Sequence, residues 1–275
     1  MVTLEPFLPS TLQLSGHSLT TSLSKGRFFK KISVCMASYN GERYIAKQLR
    51  SILLQLSSED EIIIVDDASR DQTRARIREF NDDRIRLIEN NTNIGVARAF
   101  EEAIKRASGE IIFLSDQDDV WESDKVSSVL QAFNDHPDVR VIVTDAIVID
   151  ADDQPVGYRH FEKRGKFHPG VLTNIIRNMY HGCTMSFRST LLPNILPFPG
   201  GSGILHDAWI GIRNEMSGGA TFYIDRPLIR YRRHSANASQ PLTRSRQFKG
   251  RMTLLKGLCT FRRQTESARD QDRRP

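Results

Sequence analysis

Short, mostly apolar runs alternate along the chain with longer segments in which apolar residues recur every three or four positions. The runs predict buried strands, and they lie at 32–37, 62–65, 85–88, 111–114 and 139–143. The helical spacing predicts intervening helices, which lie at 45–56, 96–107 and 123–134. Apolar strands that alternate with amphipathic helices indicate an α/β fold with a mostly parallel sheet, flanked by helices on both faces.

Two local signals mark the ends of predicted helices. Ser69, with Gln72 three residues later, resembles a capping box that opens a helix after the second strand. Gly109 is expected to end the helix that precedes the fourth strand. After about residue 150 the alternation fades, and the pattern predicts helices at 169–178 and 206–216 with short strands at 183–188 and 221–231.

Charge is unevenly distributed along the 275 residues. The net charge is +6, and residues 241–275 alone hold ten Lys or Arg against three Asp or Glu. Leucines are interleaved with basic residues in this tail, which suits a helix on an anionic membrane surface; a disordered, solvated terminus is the open alternative. Because the rest of the chain has no basic stripe, nucleic-acid binding is not expected.

Length and cysteine usage narrow the class of protein. With 39% hydrophobic residues, the chain can bury one full core, and no apolar run approaches the roughly 20 residues of a membrane-spanning helix. Cys35, Cys183 and Cys259 are odd in number and widely spaced, which favours a reducing cytoplasm over a disulfide framework or a zinc site.

Carboxylates follow the predicted strands where those strands end. Asp66 and Asp67 follow the second strand, and Asp116-Gln117-Asp118-Asp119 follows the run at 111–114. Carboxylates so close together repel one another, and a hard cation such as Mg²⁺ or Mn²⁺ would relieve the repulsion. Turn formation and helix capping also favour Asp, so from this segment alone both interpretations stay open.

Five motifs occur in order: Ser33–Gly41, Val65–Ser69, Asn93-Ile94-Gly95 with Ala97-Arg98, Ser115–Trp121, and His206-Asp207. Over roughly residues 31–235 they resemble the motifs of family-2 glycosyltransferases, which are inverting enzymes with the GT-A fold. The Ser115–Trp121 string most resembles bacterial rhamnosyltransferase-type members that build surface polysaccharides.

The resemblance implies a GT-A-type sheet in a single domain with a smaller acceptor-side region. The nucleotide-sugar-binding half would be 31–145 and the acceptor-binding, catalytic half 146–240. A poorly ordered extension (1–30) would precede them, and the basic tail (241–275) would follow.

The resemblance also assigns donor contacts. Asp67 would accept the imide N–H of uracil or thymine, and the Tyr39 and Asn40 backbone would line the pocket. Ala37 stands where many members carry Thr or Pro, so one side-chain contact is expected to be absent there. A turn-forming Asp is the alternative for Asp67.

Three further residues are implied to contact the diphosphate of the donor. Asn93, Gly95 and Arg98 precede and open a helix whose N–H groups, with the guanidinium, suit phosphate oxygens. A solvated surface charge is the alternative for Arg98.

The resemblance places the metal and the base in two other motifs. Asp116 and Asp118 match the family's metal-binding pair, the DXD motif, with Asp119 in a supporting position. A Mg²⁺ or Mn²⁺ ion there would bridge the two phosphates and stabilise the departing nucleoside diphosphate. Asp207 matches the family's base, and a helix N-terminus would favour its ionised form. A plain helix cap is the alternative for Asp207.

The remaining candidates lie on the acceptor side and near the end of the match. Arg230–His234 resembles a closing basic motif, in which His234 and one arginine would reach the diphosphate; a basic exit strand is the alternative. His181 is interpreted as a structural residue that shapes the acceptor side, and Trp209 as a core residue rather than a sugar-stacking one.

Together these inferences predict a metal-dependent inverting glycosyltransferase that uses a UDP- or dTDP-linked sugar. A glycan or lipid-linked acceptor at the inner face of the cytoplasmic membrane is expected, in bacterial surface polysaccharide synthesis. A nucleotidyltransferase on a similar sheet is one rival, but Ser38–Gly41 lacks its Gly-rich, Lys-bearing loop. A non-catalytic nucleotide-sugar-binding protein is the other, and it would not need a base such as Asp207.

Overall fold

A nine-stranded mixed sheet runs through the part of the chain that the structure, a computed structural model, describes. That part comprises residues 29, 31–200, 205–234, 250 and 252–259. The strands are β1 (Ile32–Ser38), β2 (Glu61–Asp66), β3 (Ile85–Glu89), β4 (Ile111–Ser115), β5 (Val120–Trp121), β6 (Val139–Ile149), β7 (Pro155–Arg159), β8 (Met185–Arg188) and β9 (Ala220–Arg232).

Helices connect the strands and cover both faces of the sheet. They are α1 (Ile45–Leu53), α2 (Thr73–Arg78), α3 (Val96–Lys105), α4 (Lys125–Asp135), α5 (His160–Arg164), α6 (Val171–Ile176), α7 (Leu192–Ile195) and α8 (His206–Met216). The α/β class and the order of the first four strands and their helices are as predicted.

The strand order is β3-β2-β1-β4-β8-β6-β9-β5, and β7 pairs with β6. Neighbours among β3, β2, β1 and β4 are parallel. β8 is antiparallel to both β4 and β6, and β9 is parallel to β6. β6 and β9 therefore run in the same direction as β4. The carboxyl ends of β1, β2, β4 and β9 consequently lie at one edge of the sheet.

Alternating strand residues build one apolar cluster on each face. Cys35 of β1 faces a cluster that contains Phe100 of α3 and Trp209 of α8. Its neighbours on β1, Val34 and Met36, face the other cluster, to which α1 and α4 contribute. The sheet is thus covered on both sides, which explains why its central strands carry apolar residues on both faces.

Local signals were less accurate than the overall pattern. The predicted capping box is wrong, because the Ser69 hydroxyl donates to Asp66 and α2 begins only at Thr73, with Asp71 Oδ1 accepting the Thr73 N–H at 3.0 Å. Gly109 does not end α3, which stops at Lys105. It lies instead where a Cβ would come within 2.5 Å of the Ser33 backbone nitrogen.

Short elements after residue 119 escaped the sequence pattern. β5, β7, α5 and α7 have two to five residues each, too few for a hydrophobic period to emerge. Pairing of β8 with β4 and of β7 with β6 is antiparallel, so the sheet is mixed rather than parallel throughout.

The chain termini fall largely outside the described residues. That holds for the predicted N-terminal extension except Phe29, and for the predicted basic tail except 250 and 252–259. The described segment 252–259 is helical, and its Leu254 and Leu258 are buried in the cluster that includes Trp209. Those two leucines therefore face the protein core and not a lipid surface. Among the described helices, none has the length and apolarity needed to cross a membrane.

Candidate active site

A cavity of about 880 Å³ opens at the edge where β1, β2 and β4 end. It collects most of the residues that the sequence singled out: Ala37, Tyr39, Asp67, Asn93, Gly95, Asp116, Asp118 and Asp207 all line it. His181, which was expected to shape the acceptor side, lines it as well. Asn40, Arg98 and His234 are not among its lining residues.

Asp67 is buried and organises the loop that leads into α3. Its Oδ1 accepts the Ile94 N–H at 2.7 Å and the Asn90 side-chain amide at 3.1 Å, and its Oδ2 accepts the Gly95 N–H at 2.8 Å. Asn93 returns a hydrogen bond to the Asp67 carbonyl at 3.2 Å. The carboxylate thus fixes the Asn93–Gly95 turn, in which Gly95 has φ 87° and supplies the N-cap of α3.

The loop after β1 is held by side chains from two other loops. Gln117 accepts the Tyr39 N–H at 2.9 Å and donates to the Tyr39 carbonyl at 3.0 Å. Asn40 has φ 49° and turns away from the cavity, where its side chain accepts the Arg70 N–H at 2.9 Å. Tyr39 therefore lines the cavity, whereas Asn40 contacts the loop that follows β2.

The acidic loop, Asp116–Asp119, brings carboxylates close enough to disturb their ionisation. Desolvation and repulsion by Asp119, Asp118 and Asp207 raise the pKa of Asp116 well above its usual range. Burial and repulsion by Asp118 raise the pKa of Asp119 to about 7. The influence of Asp207 on Asp116 shows that the candidate base and the acidic loop belong to one electrostatic site.

The members of the acidic loop have different partners. Asp116, Asp119 and the Cys183 thiol each offer a donor atom, and these atoms lie within 4.8 Å of one another. Asp118 instead pairs its Oδ2 with His234 Nε2 at 2.8 Å. The sequence predicted Asp116 with Asp118 as the metal pair, and it gave no indication that Cys183 would lie beside them.

The acidic loop fits a divalent cation on two observations of this structure. Asp119 is fully buried, yet its Oδ2 has no hydrogen-bond partner within the described residues. Burial and neighbouring carboxylates raise the pKa of Asp116 and of Asp119, although Lys125 opposes the rise at Asp119, so added positive charge would stabilise both carboxylates. A buried, unpartnered carboxylate oxygen beside a second carboxylate is what a hard cation requires.

Arg232, which belongs to the segment Arg230–His234 that was expected to form a closing basic motif, anchors the acidic loop. The guanidinium is buried and donates to the Asp118 carbonyl at 2.7 Å, the Asp150 carbonyl at 3.1 Å and Asp153 Oδ1 at 2.6 Å. Its backbone N–H donates to Asp119 Oδ1 at 2.9 Å. The end of β9 therefore holds the loop through both its side chain and its backbone.

Arg98 is not brought to the cavity. Its guanidinium pairs with Glu101 and donates to the carbonyls of Phe198 at 3.2 Å and Pro199 at 2.9 Å. These contacts join α3 to the segment that precedes α8. Arg98 therefore links two parts of the fold and does not line the cavity, where it was expected to contact the diphosphate.

Asp207 lies in the first turn of α8, as the sequence predicted, and is buried at the cavity wall. Its Oδ1 accepts the Ala208 N–H at 2.7 Å and the Asn178 side-chain amide at 3.2 Å. Its Oδ2 accepts no hydrogen bond from the part of the chain that the structure describes. One oxygen is thus fixed while the other can accept a proton.

Three buried histidines line the cavity beside Asp207. His160 and His181 stack with ring centroids 4.4 Å apart, and His206 stacks on Phe100 at 4.1 Å. Burial, with repulsion by Arg164 and Arg233, lowers the pKa of His160 to about 3, and burial lowers the pKa of His181 and His206 too. All three are neutral at pH 7. His206 was quoted only as part of the His206-Asp207 motif, without a role of its own, and His160 was not singled out because a lone histidine has no motif spacing.

The chain matches one known protein family over more than half of its length. The model of the family described as glycosyl transferase family 2 matches residues 33–196, more than half of the chain. The chain belongs to glycosyl transferase family 2. The matched segment contains β1 to β4, the acidic loop and the cavity-lining part of α6, and it ends before α8 and β9.

Relatives of this family 2 chain include an Escherichia coli protein named UDP-Glc:alpha-D-GlcNAc-diphosphoundecaprenol beta-1,3-glucosyltransferase WfgD. The two are 40% identical over 95 residues, which cover 34% of this chain and 38% of WfgD. The chain spans about two fifths of the length of the curated relatives that it matches.

Two solved structures share the fold of this family 2 chain. S. aureus TarS 1-349 in complex with UDP-GlcNAc has a TM-score of 0.62 at 18% identity, covering 80% of this chain and 64% of the TarS chain. Mannosyltransferase PcManGT from Pyrobaculum calidifontis, in complex with GDP-Man and Mn2+, has a TM-score of 0.53 at 21% identity, covering 72% of this chain and 55% of that chain. The expected GT-A-type architecture is therefore confirmed.

Proposed function

We propose that this chain is a metal-dependent inverting glycosyltransferase. It moves a sugar from a UDP- or dTDP-linked donor to a glycan or lipid-linked acceptor during bacterial surface polysaccharide synthesis. The observation that carries the proposal is the single cavity that Asp67, the acidic loop and Asp207 share. Had these carboxylates lain on separate surfaces, the expected chemistry could not take place.

The donor lies along the β1, β2 and β4 side of the cavity in this proposal. Asp67 fixes the Asn93–Gly95 turn, and Asp67 Oδ2 has one lone pair left for the imide N–H of uracil or thymine. Tyr39 supplies the adjacent wall. WfgD carries a UDP-sugar in its name and TarS was solved with UDP-GlcNAc, and both support a uridine donor for this chain.

A divalent cation, Mg²⁺ or Mn²⁺, would be held by Asp116 together with Asp118 or Asp119. When bound, it supplies positive charge that stabilises the departing diphosphate. The protein contributes a preformed loop for it, which Arg232 and the Gln117–Tyr39 contacts keep in place. The PcManGT structure, solved with Mn2+, supports a metal in a protein of this fold.

Asp207 acts as the general base. Asn178 and the Ala208 N–H hold Oδ1, so Oδ2 faces the acceptor hydroxyl and takes its proton. The hydroxyl oxygen then bonds to the anomeric carbon from the face opposite the nucleotide. The bond from that carbon to the phosphate oxygen breaks, and its electron pair leaves with the nucleoside diphosphate, which inverts the configuration.

The acceptor binds on the α5, α6 and α8 side of the cavity. The diphosphoundecaprenol acceptor named for WfgD supports a lipid-linked acceptor, which this chain would meet as a cytoplasmic protein bound peripherally to the inner face of the membrane.

The test compares donor binding with transfer. A thermal-shift screen of nucleotide-sugars, with and without Mn²⁺, identifies the donor by its stabilisation. Asp207→Asn should then keep the donor-induced shift and lose transfer by a factor of about 10² to 10⁴. Asp152→Asn, which removes an exposed carboxylate paired with Arg43, is the matched control and should transfer normally. If Asp207→Asn transferred sugar at the wild-type rate, Asp207 would be excluded as the base. If no nucleotide-sugar raised the melting temperature of the wild type, the proposed function would be excluded.

A further inference from the structure

Basic side chains line the acceptor side of the cavity. Lys163, Arg164, Arg177 and Arg233, here called the basic rim, all line the cavity. Within the described residues, none of the four lies within salt-bridge distance of an Asp or Glu. Arg159, only four residues before Lys163, pairs instead with Asp145 and Asp225. An uncompensated set of cations at a cavity indicates an anionic ligand.

Contacts within the protein hold the basic rim together. Arg177 donates to the Arg164 carbonyl, which joins the end of α5 to the residue after α6. Arg164 and Arg233 both lower the pKa of His160, so these two cations approach the same buried imidazole. Arg164 and Arg233 therefore lie close to one buried imidazole, and Lys163 and Arg177 line the same cavity.

The basic rim is connected to the candidate base through one residue. Arg164 Nη2 donates to the Asn178 carbonyl at 2.7 Å, and the Asn178 side chain donates to Asp207 Oδ1 at 3.2 Å. An anion on the rim would thus lie on the acceptor side, one residue away from the group that deprotonates the acceptor. The donor diphosphate is expected elsewhere, beside Asp116.

An exposed apolar strip lies next to the basic rim. Leu172 and Ile176 are 76% and 67% exposed, and their spacing of four residues places them on one face of α6. Ile176 also lines the cavity directly before Arg177. A ligand that fits both features carries a phosphate at one end and an apolar chain at the other.

We infer that the basic rim and the Leu172–Ile176 strip bind an amphiphilic acceptor, with its phosphate or diphosphate on the rim and its lipid chain along α6. The inference rests on the proposed function, because it names the substrate class of that site. Arginine and lysine side chains suit phosphate oxygens through charge-assisted hydrogen bonds.

Farnesyl diphosphate is a suitable probe because it carries both groups and no sugar. Isothermal titration calorimetry of the full chain, saturated with UDP and Mg²⁺ so that the donor site is filled, should show saturable binding. The Lys163→Gln/Arg177→Gln double variant should weaken that binding about tenfold or more. The Arg76→Gln/Arg226→Gln double variant also removes two positive charges, but from exposed ion pairs away from the cavity, and should bind as the wild type does.

Two related probes separate the contributions of phosphate and lipid. Inorganic pyrophosphate and farnesol should each bind more weakly than farnesyl diphosphate, and equal binding by either would overturn the amphiphile assignment. Leu172→Ser/Ile176→Ser should weaken farnesyl diphosphate but not pyrophosphate, whereas Leu54→Ser, at an 87% exposed leucine, should change neither.

The result also distinguishes this inference from the proposed function. If UDP stabilises the wild type but the rim variant binds farnesyl diphosphate unchanged, the basic rim has no acceptor role and the donor assignment stands. If UDP itself fails to bind, the proposed function fails first. UDP-induced stabilisation of each variant confirms that it is folded.

Discussion

Replacing Arg232 should destabilise the protein far more than replacing its neighbour Arg230. Arg232 has a 1% exposed side chain and bonds the carbonyls of Asp118 and Asp150 and the carboxylate of Asp153. Arg230, two residues earlier on β9, has a 50% exposed side chain and pairs only with Glu122 at 2.8 Å among described residues. Both lose a positive charge on substitution, so the difference expected between them comes from burial and from the number of buried partners.

The expected magnitude follows from these partners. Breaking a buried ion pair costs about 3–5 kcal/mol, because the remaining groups lose their compensation. Asp153 retains Lys47 at 2.6 Å, which places Arg232→Met near the lower end, at about 3 kcal/mol. An exposed pair contributes roughly 0–1 kcal/mol, which is the expectation for Arg230→Gln.

Urea denaturation followed by tryptophan fluorescence measures both values, since Trp121 and Trp209 are buried and report on unfolding. A second readout is the added thermal stability from Mn²⁺, which Arg232→Met should lower because Arg232 holds the Asp118 carbonyl. If Arg232→Met loses less than about 1 kcal/mol, like Arg230→Gln, the guanidinium does not anchor the acidic loop.

Three further outcomes are expected. Asp67→Asn should lower UDP affinity about tenfold or more by calorimetry, because an amide nitrogen would face one of the N–H groups that now donate to the carboxylate. Unchanged affinity would place Asp67 outside the donor site. The folded pKa of His160, about 3, lies below its unfolded value, so its stabilisation is full above pH 6.5 and is lost as pH falls towards 3. His160→Asn should therefore flatten the acid limb of a stability-against-pH curve, by at most roughly 1.4 kcal/mol per pH unit, and an unchanged curve would contradict this. Gly109→Ala should lower the urea midpoint because its Cβ would meet backbone atoms at 2.5 Å, whereas Gly200→Ala, with open space, should not; equal midpoints would refute the close approach.

Much of the fold could be predicted because long-range and local signals agree there. β1, β2 and β4 are apolar at most of their positions, and α8 spans 206–216 as predicted from its spacing. The capping box failed because Ser69 has a better partner in Asp66, a residue that the tight turn brings close. Sequence spacing cannot show such a competition between partners.

The candidate site was predictable where residues follow strands or belong to one of the five motifs. Asp67 and Asp116 follow β2 and β4, whose parallel pairing with β1 sends them to one edge. Cys183 lies beside the acidic loop and His160 lines the cavity, and both are brought there by antiparallel or irregular segments whose direction the sequence pattern did not reveal. The metal pair and the base remain predictions.

Arg232, which anchors the acidic loop, lies beyond residue 196, where the family match ends. A fragment cut to the matched segment would contain every carboxylate of the acidic loop. It would lack β9, whose Arg232 backbone N–H donates to Asp119. Chimeras that exchange carboxyl-terminal halves between family members would therefore also exchange the residues that hold the acidic loop. Such swaps need their junction placed so that β9 and the acidic loop come from the same parent.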